Sequence, residues 1–190
     1  MLAYHDISDG GLLTTVAEMM FAGRCGAEIA IDSIVKPGSN VLSALFNEEL
    51  GAVFQVRKGN DEKRFRSCFA TCGPPAGLIR TIGYVRPTSK PSLLVKYHSQ
   101  ALVDLDRALL QQWWSGTSYQ MQKLRDNPAC AQSEFDSLTD HADPGLHYNL
   151  TFNPADINLP AMITLKGFVS RPKGQFSLPT YTIYNVFPFF

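Results

Sequence analysis

Apolar and polar positions along the chain alternate in two rhythms. After a short Leu2-Ala3-Tyr4 run and the polar stretch His5 to Gly11, apolar residues recur at Leu12, Leu13, Val16, Met19 and Met20. That spacing predicts one face of an amphipathic helix. Gly23 and Gly26 supply its stop, and Ala27 to Asp32 alternates like a strand with one buried face. The next unit repeats the scheme, with a short helix over Val41 to Phe46 and a strand over Gly51 to Val56. Asp61 to Cys72 reads as a helix with Phe65, Cys68, Phe69 and Cys72 on one face, ended by Gly73-Pro74-Pro75. Strands are predicted over Leu78 to Val85 and Leu93 to His98, separated by a turn from Pro87 to Pro91. A longer helix is expected from about Asp104 to Arg125, carrying Leu105, Leu109, Trp113, Met121 and Leu124. Gly116 is a possible break in it and Pro128 its stop. The sum is an α+β fold, a mixed sheet with packed helices.

Beyond Ala129 the periodicity fades. Ser133 to Pro160 is rich in Asp, Asn, Pro and Gly, as in a connector, although Leu146, Tyr148, Leu150 and Phe152 alternate as a docked extension would. The last stretch, Gly174 to Phe190, has no charged residue and six aromatic ones. It reads either as a buried strand or as a segment foreign to the rest of the chain.

Composition narrows the function classes. With 45% hydrophobic and 18% charged residues, and 17 basic side chains against 17 acidic ones, the 190 residues are those of a globular chain. No cluster of Lys and Arg supports nucleic-acid binding. No apolar run approaches the ~20 residues that span a bilayer. The start carries His5, Asp6 and Asp9 where a secretory signal would be apolar, so reduced thiols and a cytoplasmic location are the expectation. Of Cys25, Cys68, Cys72 and Cys130, only the Cys68/Cys72 pair is close, and its spacing suits one helix face better than a zinc site.

The strongest chemical signal is His5-Asp6-Ile7-Ser8-Asp9-Gly10-Gly11, acidic and hydroxyl groups with a Gly-Gly pair directly before a helix. Free first-turn amides and the positive end of the helix dipole suit phosphate oxygens, and glycine lets backbone approach closely. Asp6 could hold Mg²⁺, and Ser8 could donate to a phosphate. On the residues alone the plainer alternative is favoured: Ser8 or Asp9 caps the helix, and His5 is a packed polar residue. Glu48-Glu49 is better read as a solvated turn than as an acid/base pair. Trp113-Trp114 is better read as a helix anchor than as a stacking platform. His98, His141 and His147 show no metal-ligand spacing, and no Gly-x-x-x-x-Gly-Lys-Ser/Thr loop occurs.

Three ordered blocks carry a resemblance. Ala3 to Leu12 continued by Ala17 to Gly26, then Leu45 to Val53, then Trp113-Trp114 and Thr117 to Pro128 closely resemble the second synthetase half of large-type phosphoribosylformylglycinamidine synthases. Ala142 to Leu146 also fits. The resemblance covers residues 1 to about 173. It implies the α+β carboxy-side subdomain seen in aminoimidazole ribonucleotide synthetase-like proteins at residues 1–130, and a linker toward a glutaminase domain at 131–173. In that family the aspartate matching Asp6 ligates Mg²⁺, and the serine matching Ser8 contacts ATP or ADP beside the glycines matching Gly10 and Gly11. The implied activity is a ligase of purine synthesis that takes formylglycinamide ribonucleotide, ATP and glutamine. Its other domains would be this chain's partners, and without them the chain is expected to be inactive; association with an intact synthase is the alternative role. The departure comes after Lys173, where Gly174-Gln175-Phe176-Ser177 replaces the expected entry into the glutaminase. An origin of residues 174–190 in unspliced intron is the expectation there. None of the four cysteines matches the glutaminase nucleophile.

Overall fold

The computed structural model describes residues 1–72, 77–89, 91–142 and 151, and the backbone of 181–186. The chain divides into two units, one of Met1–His141 with Leu178–Phe190 and one of Ala142–Ser177. The expected linker from 143 onward, His147 and most of the tail lie outside the described residues, so only the first unit is described further.

Seven strands form one sheet in the order β1-β3-β7-β4-β2-β5-β6. They are β1 (Ala3–Asp6), β2 (Gly26–Ala30), β3 (Ala52–Arg57), β4 (Ile79–Arg86), β5 (Ser92–Tyr97), β6 (Gln100–Asp106) and β7 (Tyr181–Val186). All neighbours are antiparallel except β2 and β5. Five helices accompany them: α1 (Gly11–Gly23), α2 (Val41–Phe46), α3 (Asn60–Cys72), α4 (Arg107–Arg125) and α5 (Pro128–Ser137).

The strand period of two sorts the core onto two faces. Val53 packs with Leu12, Val16, Met20, Ile29, Ile82 and Val95 in the main core, which α1 covers. Phe54 and Val56, odd steps away from Val53, pack instead with Phe65 and Phe69 of α3. The two helices therefore lie on opposite sides of the sheet. The Phe54, Phe65 and Phe69 rings sit 4.8 to 5.8 Å apart in tilted and edge-on pairs, the arrangement aromatic quadrupoles favour. Cys68, expected on this face, is exposed.

Expectations for the elements after β5 are corrected in several places. Asp104 and Leu105 belong to β6, which pairs with β5 from Ser92↔Asp106 to Tyr97↔Gln100, so the long helix begins only at Arg107. Its predicted apolar stripe does not face the core: Trp113, Met121 and Leu124 are exposed, and Arg107, Ala108 and Tyr119 are the buried residues. Gly116 lies inside the helix without breaking it. The helix does end at Arg125, before Pro128 as expected; Pro128 then opens α5 at a position where its missing N–H costs nothing, and Asn127 caps that helix through its side-chain oxygen. Helix α5 thus crosses the expected boundary at 130/131 and stacks Phe135 on Tyr119 of α4, with ring centroids 4.2 Å apart. Among the described residues, no helix is long and apolar enough to cross a membrane.

The aromatic tail contributes β7, which lies between β3 and β4. Residues 181–186 thus form a strand.

Candidate functional site

Strand β1 pairs with β3 from Ala3↔Gln55 to Asp6↔Ala52, and the chain then turns sharply into α1. Ile7 is the pivot: its side chain is buried and its amide donates to the Gly51 carbonyl at 2.9 Å. On either side of it Asp6, Ser8 and Asp9 are exposed. The Asp6 carboxylate accepts a hydrogen bond from the Tyr4 hydroxyl, which holds that phenol above its usual range. Ser8 and Asp9 use their side chains in no hydrogen bond among the described residues. This overturns the capping alternative, because the N-cap of α1 is Gly10 and no side chain caps the helix. Thr14 and Thr15 instead turn their hydroxyls back to the Gly10 and Gly11 carbonyls, at 3.1 and 3.0 Å.

The two glycines serve the fold directly. Both have positive φ, +85° at Gly10 and +71° at Gly11. A Cβ on Gly11 would stand 2.7 to 2.8 Å from backbone atoms of Leu45 and Phe46, and one on Gly10 would stand 2.3 Å from the Thr14 hydroxyl. Their small size lets the turn close onto α2 and needs no ligand to explain it. The Gly10 amide is also taken, donating at 2.9 Å to the Glu48 carboxylate. Glu48, expected to be a solvated turn residue, is exposed but reaches across to the turn, placing a negative charge at the positive end of α1. The only cue lay in the Asn47-Glu48-Glu49 block, and chain spacing cannot reveal a contact 38 residues distant.

His5 is held on the α1 side of the strand. One ring nitrogen lies 2.7 Å from the Asp6 carbonyl oxygen and the other 2.8 Å from Glu18 Oε2. Trp114 Nε1 donates to the other Glu18 oxygen at 2.9 Å, and its ring tilts over Phe21 at 5.8 Å. Glu18 therefore ties β1, α1 and α4 together: His5 is a packed polar residue, whereas Trp114, 58% exposed, is held by its ring nitrogen rather than anchored in a core. These side chains and Cys25 line a cavity of about 1080 Å³, but Asp6, Ser8, Gly10 and Gly11 do not. The polar turn and the cavity are separate features.

No group of three or more His, Cys, Asp or Glu side chains able to hold a metal ion occurs among the described residues. The turn offers the exposed carboxylates of Asp6 and Asp9, with Glu48 already bonded to the Gly10 amide. That suits Mg²⁺, which keeps its waters and phosphate ligands around one or two carboxylates, rather than an all-protein metal cage.

Residues 1–96 match the family described as AIR synthase related protein, C-terminal domain. The chain belongs to that family. It is similar to phosphoribosylformylglycinamidine synthase of Saccharomyces cerevisiae, 48% identical over 157 residues that make up 82% of this chain. The same stretch is 11% of the yeast protein, so the chain spans about a tenth of that relative's length. Among solved structures, T. maritima PurL complexed with FGAR is 18% identical, with a TM-score of 0.46 over 57% of this chain and 17% of that one. The fold class and the resemblance expected from the sequence both stand, and the chain is placed in a family that includes a ligase of purine synthesis.

Proposed function

We propose that the chain is a carboxy-side piece of a phosphoribosylformylglycinamidine synthase and brings part of a Mg-nucleotide site. The observation that carries this is the pair of exposed oxygen donors, Asp6 and Ser8, on the turn that opens α1, the Ser8 hydroxyl having no hydrogen-bond partner among the described residues. Asp6 would hold Mg²⁺ and Ser8 would donate to a phosphate oxygen of ATP or ADP, with Gly10 and Gly11 shaping the turn that presents them, their own amides being taken by Glu48 and the Ser8 carbonyl. The metal would neutralise phosphate charge. The whole synthase would convert formylglycinamide ribonucleotide, ATP and glutamine to the amidine in the cytoplasm, and this chain alone would not. Phosphoryl transfer depends on groups placed from several segments at once, and a single carboxylate with a hydroxyl is a fraction of such a site.

Calorimetric titration with Mg-ADP tests the site. Removing a charged contact costs about 1.5–3 kcal/mol, so Asp6→Asn is expected to weaken binding by roughly tenfold or more, and Ser8→Ala by several-fold. Wild-type binding left unchanged by Asp6→Asn would remove the assignment. Amidine formation with ammonia as nitrogen donor tests the expected inactivity, which any turnover by the isolated chain overturns.

A second role, association with an intact synthase, is favoured by the apolar side chains that α4 leaves exposed, Trp113, Met121 and Leu124. Co-purification of an intact synthase with the wild-type chain, lost in Trp113→Ala/Leu124→Ala, is the expected result.

A further inference from the structure

One interior strand of the sheet, β7, third of seven in the order, comes from the far end of the chain. Its two neighbours do not: β3 and β4 are joined through α3 and lie wholly within residues 52–86. Both belong to the stretch that matches the family, residues 1–96, whereas β7 is outside it. The walls are also held without β7, β3 by β1 and β4 by β2. What remains between them is a slot one strand wide, with backbone donors and acceptors on each side.

Such a slot must be filled. Backbone N–H and C=O groups left unpaired inside a sheet are costly, and a bare strand edge is a template for any extended segment. Tyr181–Val186 fills it antiparallel to both walls, from Ala52↔Val186 to Arg57↔Tyr181 on one side and from Ile79↔Val186 to Tyr84↔Thr182 on the other. The segment reads Tyr-Thr-Ile-Tyr-Asn-Val, rich in β-branched and aromatic residues, with no Gly, Pro or charge to discourage pairing with another chain. Between His141 and Tyr181 lie 39 residues.

We infer that the slot between β3 and β4 is a strand-acceptor site, which the Tyr181–Val186 segment of a second copy of this chain occupies in exchange for the chain's own. The exchanged strand makes the same backbone pairs in the same register, so the swap costs little beyond association. A tethered strand competes at an effective concentration on the order of millimolar, so dilute chains keep their own strand and concentrated refolding favours exchange.

The full chain is refolded from denaturant at about 5 µM and at about 500 µM, spanning the approach to that effective concentration, and sized by light scattering. A monomer is expected at the lower concentration and a substantial dimer fraction at the higher. Tyr184→Pro, which removes a ladder donor from the middle of β7, is expected to abolish that dimer. The same full-length variant is then titrated with a synthetic peptide of residues 178–190. Whether the variant remains folded or is destabilised, the peptide is expected to raise its melting temperature, and to bind at least tenfold more tightly than the peptide carrying the same proline. A monomer at both concentrations, a dimer that survives Tyr184→Pro, or a peptide without effect on the variant would each overturn the inference.

Discussion

Cys25 shows how position alone sets the chemistry of a side chain. It follows Arg24, whose left-handed φ of 47° ends α1, and its half-buried thiol is pushed above the usual range, burial outweighing the opposing pull of nearby Arg107. Thiolate is the reactive form, so Cys25 should alkylate far more slowly with iodoacetamide at pH 7.5 than the exposed Cys68 and Cys130. Peptide mapping over time checks the order, and equal rates would show that the thiol is not shielded. The same shift has a sign in stability. Because the folded chain resists ionising this thiol, its contribution is intact below the unfolded thiol's pKa and is lost as pH rises through the raised folded value. Denaturant midpoints should therefore fall on the alkaline side, and less so in Cys25→Ala. At the same scale the sequence disclosed the polar turn at Asp6 and Ser8 but not what fills it. Capping was the natural reading of Ser8 and Asp9, yet Gly10 in a left-handed conformation takes the cap position, a backbone choice that residue types do not announce.

Among elements, those with a clear period are legible: β2 to β5 and α1 to α3 fall close to their predicted spans, whereas β1 is too short and polar to show one. Strand β6 is not legible, because the turn joining it to β5 uses His98 and Ser99 at φ of 47° and 64°, with none of the Asn-Gly chemistry that marks such hairpins. Asp32 makes that turn possible by accepting from the His98 amide at 2.9 Å, a contact made across 66 residues. Helix α5 was missed for a different reason: its docked face is small, Ala131 buried with Phe135 against Tyr119, too sparse to register as a period. A buried cation does the rest. Arg107 donates to Gln111 and, at 3.4 Å, to the Leu138 carbonyl at the end of α5, placing positive charge at that helix's negative pole. Arg107→Ala removes the donors of these bonds and the bulk of a fully buried side chain, so it should destabilise by about 2–3 kcal/mol. Asn127→Ala, which loses only the cap, should cost about 1 kcal/mol. Hydrogen exchange should show both losses in α5. Protection there unchanged in Arg107→Ala would mean that the helix docks by its rings alone.

For the whole molecule, the decisive junction is the crossing of β2 and β4 at the centre of the sheet, where the antiparallel half meets the parallel pair β2/β5. Gly83 pairs with Ile29 there, and a Cβ in its place would lie 2.0 Å from the Glu28 carbonyl oxygen and 2.8 Å from the Ile29 Cα. Those neighbours are backbone of a central strand and cannot step aside as a flexible side chain would. The ladder would have to part, and with it the packing of the fully buried Ile29 and Ile82. Overpacking costs about 1–3 kcal/mol in a well-packed core, and backbone contact puts Gly83→Ala at the upper end. For a chain of this size each kcal/mol moves the melting temperature by roughly 2–4 °C, so a fall of about 6–12 °C is expected. Gly116→Ala is the matched control. It lies inside α4 with open space around it, so the same added methyl should stabilise by about 0.5–1 kcal/mol through helix propensity and a less floppy unfolded chain. Calorimetric melts of the two variants carry the comparison. Opposite signs are the expected outcome, and a Gly83→Ala melt as high as wild type would mean that β4 does not cross β2 in this register.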